Sequence, residues 1–294
     1  AKCPNGSPTP AGRFLFMDTV ISVSGGKTSS YLAKHFSADL LMFSLIRIEA
    51  NYCKPKDNSI VKYVSDKIGM DFIATAESDK TLYVMRDLEQ ILGKNIIWVT
   101  GETFEQVIYK KKAIPNLMMR FCTTEMKIKP IFEWWLNRYN GEKVNMYLGI
   151  RYDEKERAFD LKTNRRKEEK PFRHIVGKHE NGYNKWGETQ WRNTIYPLIN
   201  NRISHYHVSE WAKTTNLVFP PDSNCVGCFH KDVQQLRKNW DDEPLKMRWF
   251  SEMEQELKRR FKKEMSYEKI KTIGLQQDFF FGTGSGCQAG FCTD

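Results

Sequence analysis

The residues best placed by type and spacing to do chemistry are Ser24, Gly25, Gly26, Lys27, Thr28 and Ser29, directly after the apolar run Val20-Ile21-Ser22-Val23. Adjacent glycines let a backbone come close to an anion, consecutive amides can point inward, and a following helix adds the positive end of its dipole. Lys27 contributes a point charge. The combination is a phosphate cradle and predicts a nucleotide-handling protein. It is not a Walker A loop, because the glycines run straight into Lys27 and Thr28 without the G-x-x-x-x-G-K-[ST] spacing.

Seven cysteines form the second chemical set. Cys225 and Cys228 make a C-x-x-C, Cys122 lies in a basic turn, and Cys287 and Cys292 sit in a glycine-rich tail. Cys53 follows a strand pattern, and Cys3 falls in a polar, proline-containing N-terminal stretch that does not read as a signal peptide. No run approaches the 18 or so apolar residues of a membrane span. A cytoplasmic setting is therefore expected, with no membrane partner, and there such cysteines point to metal binding or redox use rather than a disulfide framework. His205 and His207 form a His-x-His pair that reads as a surface or capping feature at a strand-to-helix junction.

These residues need elements to position them. With 294 residues and 40% hydrophobic content, the chain can bury a full core. Apolar runs suited to buried parallel strands recur at 19–23, 40–46, 71–76, 95–100, 144–150 and 194–198. Between them Ile60, Val61, Val64 and Ile68 share a helical face, as do Leu82, Met85, Leu88 and Leu92, and Pro130 opens a helix containing Trp134 and Trp135. The alternation predicts an α/β fold with a doubly wound, mostly parallel sheet, its ligand at the carboxyl ends of the strands.

Residues 1–16 read as a leader, 17–230 as the nucleotide-binding domain, 231–278 as a helical C-terminal extension and 279–294 as the Gly/Cys tail. In the extension Leu245, Trp249, Met253 and Leu257 fall on one helical face. The segment 153–192 has no clear periodicity and reads as an insertion or lid, in which Trp186 and Trp191 are candidates to stack on a base. The net charge is +10, and between Gln106 and Lys129 six cationic residues (Lys110, Lys111, Lys112, Arg120, Lys127, Lys129) face one acid, Glu125. A solvated face explains such a run, but beside a nucleotide site it also suits a polyanion, including a nucleic acid.

Four ordered motifs carry a resemblance. The loop Ser24–Ser29 resembles the S-G-G-x-[DT]-S loop of the PP-loop, or adenine-nucleotide alpha hydrolase, superfamily. Gly149-Ile150-Arg151-Tyr152-Asp153-Glu154-Lys155-Glu156-Arg157 is similar to the G-I-R-x-x-E-x-x-R pattern of its PAPS reductase branch. Arg120-Phe121-Cys122-Thr123-Thr124-Glu125-Met126-Lys127-Ile128-Lys129-Pro130 resembles that family's R-x-C-T-x-x-x-K-x-x-P segment, and Asn224-Cys225-Val226-Gly227-Cys228-Phe229-His230-Lys231 its N-C-x-x-C-F-x-K block, common in phage and bacterial members. The resemblance implies an adenine nucleotide, ATP or PAPS-type, bound by Ser24, Gly25, Gly26, Lys27, Thr28, Ser29, Gly149, Arg151 and Arg157, with Mg²⁺ as an admissible companion. Lys27 and Arg151 would stabilise phosphate charge, the arginine through its planar fork, and Arg157 would reach a substrate anion.

The resemblance also implies that Cys122, Cys225 and Cys228 occupy cluster positions of cluster-bearing relatives, which include adenylylsulfate reductases and a DNA phosphorothioation sulfurtransferase. A [4Fe-4S] cluster is the expectation, with zinc, or an inert buried Cys122, as alternatives. Phe121 departs from the pattern, standing where adenylylsulfate reductases carry another cysteine. The fourth ligand would be Cys287 or Cys292, or one iron would remain open. Three functions follow: ATP-dependent activation and sulfur transfer, the leading reading; a thiol-dependent PAPS or adenylylsulfate reductase, in which Cys287 or Cys292 attacks sulfur and a thiol reductant resolves the product; and a non-catalytic nucleotide- or nucleic-acid-binding protein, for which Thr28 in place of the family's frequent aspartate leaves room.

Overall fold

A parallel strand with neighbours on both sides is buried on both faces, which is why the first strand reads as an almost unbroken apolar run. In a computed structural model that describes residues 17–139, 141–160, 162–163, 167 and 169–275, β1 (Thr19–Val23) leads into α1 (Lys27–His35), β2 (Leu40–Ser44) and a two-residue β3 (Arg47–Ile48). There follow α2 (Asn58–Ile68), β4 (Ala74–Thr75), α3 (Asp79–Leu92), β5 (Ile96–Val99), α4 (Phe104–Lys111) and a helical turn α5 (Phe121–Thr123). A π-helical turn, Thr124–Ile128, joins α5 to α6 (Lys129–Tyr139), and β6 (Val144–Tyr147) comes next.

The central sheet has the order β5-β2-β1-β6-β9, where β9 spans Arg192–Ile195, and every pairing in it is parallel. The chain builds outward from β1 through β2 to β5, then returns to the other side of β1 for β6 and β9. The carboxyl ends of β1 and β6 therefore flank the point where the winding reverses, the place where such sheets bind ligands. Ile60 and Val64 of α2, and Leu82, Met85 and Leu88 of α3, are buried in the core on one side of the sheet, and Phe132 and Trp135 of α6 in the core on the other.

Three segments differ from the sequence expectation. The run 71–76 contributes no strand to the central sheet; its two-residue β4 pairs antiparallel with β3, because the chain turns away to deliver Glu77 and Ser78. The last strand ends at Ile195 rather than residue 198, since Pro197 starts a short helix, α7 (Pro197–Asn200), followed by α8 (His205–Thr214). The segment 153–192 contains a hairpin, β7 (Phe172–Lys178) and β8 (Asn184–Thr189), whose register shifts at Val176 and which is turned by Gly182 at φ +82° with the Asn181 side chain accepting the Tyr183 N–H. Its period-2 pattern is hard to see because both faces are exposed, so the residues do not alternate between apolar and polar.

The C-terminal helices α9 (Val233–Asp242), α10 (Pro244–Leu257) and α11 (Tyr267–Lys271) share one core with α4. Trp249 and Met253 are buried as expected and Leu257 partly so, but Leu245 is exposed, because the buried face also takes in Met247, Phe250 and Glu254. The core clamps the Cys225–Cys228 turn: the Tyr267 hydroxyl donates to the Gly227 carbonyl at 2.9 Å, and a Cβ on Gly227 would lie 2.4 Å from the Phe250 ring.

Within the same core the Glu254 carboxylate accepts the backbone N–H groups of Phe261 (2.9 Å) and Tyr267 (2.6 Å). Burial, opposed by those donors, pushes its carboxyl up from 4.5 to about 6. The folded value lies above the unfolded one, so this group's contribution is fully present below pH 4.5 and is lost as pH rises through about 6. Chemical denaturation across that window should show a fall of about 2 kcal/mol attributable to this group. In Glu254→Gln that part of the slope should vanish whatever the variant's overall stability.

Candidate functional site

The phosphate loop is built by two serines and a left-handed glycine. Gly25 has φ +70°, and a Cβ there would lie 2.6 Å from the Thr81 methyl. The Ser24 N–H donates to Ser29 Oγ at 3.0 Å, the two hydroxyls lie 3.1 Å apart, and Ser29 Oγ donates to the Gly26 carbonyl at 3.2 Å. The loop thus closes on the first turn of α1, whose N-cap, Gly26, supplies no capping side chain, so the helix end stays open to an anion. Lys27 is exposed at the rim, and Gly149, at the end of β6, lets that strand pass within 3.5 Å of Ser29 N as measured from the Cβ it lacks.

Arg151 follows at the same sheet edge. Its Nη1 donates to Thr28 Oγ1 at 3.0 Å and lies 3.1 Å from the Glu154 carboxylate, while Arg157 pairs with the other oxygen of Glu154 at 2.6 Å. One buried carboxylate therefore orients both arginines of the G-I-R-x-x-E-x-x-R stretch toward the loop. A cleft of about 290 Å³ opens above the strand ends, lined by Ser24, Gly26, Lys27, Thr28, Ser29, Gly149, Arg151 and Arg157. All the nucleotide-binding candidates except the buried Gly25 line this one cleft. Trp191 (4% exposed) packs against Trp135 and Phe132 and forms part of the cleft wall, whereas Trp186 is exposed on the hairpin.

The thiols lie behind the opposite wall. Pro130 has no N–H to offer Met126, the carbonyl four residues earlier, so the helix widens into the π-turn and the Met126 carbonyl accepts the Ser44 hydroxyl at 2.8 Å instead. That turn carries Lys127, which pairs with the buried Glu77 at 3.1 Å. Glu77 forms an antiparallel bridge with Cys225, and Cys122 and Cys225 both pack against the core of α9–α11. Burial pushes the Cys122 thiol up to about 11, with Cys228 adding to the effect, and Cys225 and Cys228 are raised for the same first reason. Burial works to lower the Lys127 ammonium, but the Glu77 carboxylate and the neighbouring thiol groups outweigh it and hold it up.

Among the described residues no three His, Cys, Asp or Glu side chains are grouped to hold a metal ion. A cluster sets its thiolates on separate irons, and the donor set of thiols from two chain segments fits that chemistry. Cys287 and Cys292 lie outside the described residues, as do Cys3 and the stretch 1–16. Cys53 is buried and its thiol donates to the Leu245 carbonyl.

No protein-family model matches the chain, and no curated protein does. Among solved structures it is similar to the U34-tRNA thiolase NcsA from Methanococcus maripaludis with its [4Fe-4S] cluster, at 15% identity and a TM-score of 0.38, over 96% of this chain and 83% of that one.

Several expectations meet a different arrangement. The basic run is not an open patch: Lys110 pairs with Glu102, Lys111 with Glu125, and Lys129 lies within 4 Å of Glu102, Glu125 and Glu133, acids inside the run or just beyond its ends. The His-x-His pair, in contrast, takes the expected capping place: His207 completes a capping box with Ser204 at the start of α8, and His205 also lines the cleft while its N–H donates to Asp153. Glu77 went unremarked in the sequence, and Glu154 was read only as the acid of the G-I-R-x-x-E-x-x-R pattern, with no role assigned to it. Glu154 had a signal, an acid spaced three from each arginine; Glu77 had only its position at the end of an apolar run.

Gly25→Ala and Gly69→Ala separate strain from function, since both glycines are left-handed but only Gly25 meets a neighbour where a Cβ would go. Each should lose about 1 kcal/mol from the backbone alone. Calorimetric titration should find ATP affinity unchanged in Gly69→Ala and reduced on the order of tenfold or more in Gly25→Ala, the loss expected when amide contacts to a charged group are broken.

Proposed function

We propose that the chain is an adenine-nucleotide-dependent sulfur-transfer enzyme of the PP-loop, PAPS reductase-like type. The observation that carries this reading is the shared wall: Lys127 and Glu77 line the cleft of the S-G-G-K-T-S loop and also adjoin the half-buried Cys122, Cys225 and Cys228. A phosphate cradle alone would support binding of many nucleotides, and thiols alone would support structural metal. Their contact through one ion pair favours chemistry that couples nucleotide and sulfur.

In this reading the phosphates lie against the amides of Gly25, Gly26 and Lys27. An acceptor oxygen attacks the α-phosphorus, the bond to pyrophosphate breaks, and the acceptor is left as its AMP ester; a sulfur nucleophile then displaces AMP, taking the place of the oxygen. Charge builds on the phosphoryl oxygens in the first step, where Lys27 and Arg151 meet it. Glu154 holds Arg151 and Arg157 in place, so neither must be ordered as the reaction proceeds. A [4Fe-4S] cluster held by Cys122, Cys225 and Cys228 would supply the sulfur-handling chemistry. Trp191 and the 220–224 segment narrow the cleft against water.

Iron and acid-labile sulfide per chain, measured on anaerobically purified protein, test the reading. Four of each in the wild type, lost in Cys122→Ser, together with pyrophosphate release from ATP, is the expected result. Iron-free wild type would overturn it. Activity toward PAPS that disappears in a Cys287→Ser, Cys292→Ser double variant would then assign reduction instead.

A further inference from the structure

The hairpin of β7 and β8 is the largest feature the nucleotide chemistry leaves unused. Its root is fixed: Phe172 and His174 stack on Phe132 with ring centroids 4.5 and 4.7 Å apart, and His174 Nε2 lies 2.9 Å from Thr189 Oγ1. Beyond the root every residue from Ile175 to Trp186 is exposed. Paired strands of this length reach about 20 Å from the body.

The ribbon's composition is that of a recognition arm. Ile175 and Trp186 pair across the strands, the Arg173 guanidinium lies over the Trp186 ring at 5.2 Å, and Tyr183 is 75% exposed at the turn. Lys178 and Lys185 flank them, and over residues 170–190 four cations (Lys170, Arg173, Lys178, Lys185) exceed two acids (Glu180, Glu188). Exposed aromatics at this density cost solubility unless they have a partner, and basic residues interleaved with aromatics suit a polyanion with flat faces. β8 leads within two residues to Trp191 and Arg192, which line the cleft, so whatever the ribbon holds is delivered to the phosphate loop.

We infer that the hairpin is an RNA-binding arm that presents an unpaired base to the cleft. The inference rests on the sulfur-transfer reading for what happens to that base. An acceptor oxygen on a base can reach the cleft only if the base is out of its stack. Folded RNA offers such bases in its loops without opening a duplex, whereas duplex DNA must be unpaired first, at an energetic cost. The Trp186 face turned away from Arg173 and the Tyr183 ring provide the stacking surfaces, and Lys178 and Lys185 the phosphate contacts.

Fluorescence anisotropy with the full chain and a labelled RNA stem-loop, its fully paired duplex and a DNA stem-loop of the same sequence tests this. The RNA stem-loop should bind about tenfold more tightly than either competitor, and Trp186→Ala should cost about tenfold. Lys178→Gln with Lys185→Gln should lower the slope of log affinity against log salt by about 1.4, or about 0.7 per phosphate contact. Equal affinity in wild type and ribbon variants would overturn the arm, and a preference for the DNA stem-loop would overturn the choice of RNA. A ribbon-dependent dimer in sedimentation, without RNA binding, would reassign the surface to a second copy of the chain. ATP titration on the same preparations keeps the two readings apart: intact ATP binding without RNA binding removes the arm alone, and absent ATP binding removes the reading beneath it.

Discussion

Three separate parts of the chain converge on Glu77. Its carboxylate takes the Lys127 ammonium from the π-turn, its backbone bridges Cys225 of the C-x-x-C turn, and its carbonyl accepts the ammonium of Lys246 from α10. The second carboxylate oxygen is buried and makes no hydrogen bond among the described residues. A buried ion pair contributes little net stability, but removing one partner strands a charge at a cost of about 3–5 kcal/mol. Its value here is specificity of arrangement: the sheet, the Cys122 turn and the C-terminal helices are held in one relation, and both the cleft wall and the thiol group depend on it.

The approach of the π-turn to Glu77 has a covalent origin. Pro130 cannot donate to Met126, so the helix has no reason to close normally there, and the freed carbonyl is satisfied by Ser44 from β2. A substitution restoring an N–H at 130 would let the ordinary α-helical bond compete with Ser44 and draw the turn away from the sheet. The proline therefore does more than open α6: it allows the segment between Cys122 and Lys127 to lie against the sheet.

Legibility in the sequence followed burial. The central strands and the apolar faces of α2 and α3 were readable because a buried element must be apolar at fixed spacing, and the loop at Ser24–Ser29 was readable because few residues other than glycine tolerate φ near +70°. The hairpin was obscure because two exposed faces carry no alternation, although Asn181-Gly182 between extended residues marks a turn. The basic run from Lys110 to Lys129 looked unopposed only because acids were counted inside its ends: Glu102 and Glu133 stand just outside them, Glu133 one helical turn from Lys129. Glu77 was invisible for a different reason, since its partners lie 50, 148 and 169 residues away and only the fold brings them together.

The same geometry imposes a conflict on the thiols. Burial raises all three, so as free thiols they are neutral and poor nucleophiles, while any metal they hold must first displace their protons. Lys127 offsets part of that cost, because a fixed positive charge beside Cys225 favours the thiolate even as Glu77 opposes it. A phosphate arriving in the cleft would add negative charge on the far side of the same lysine. On the proposed reading, nucleotide and thiolate would then draw on the same ammonium through this one ion pair, with no change of fold needed to connect them.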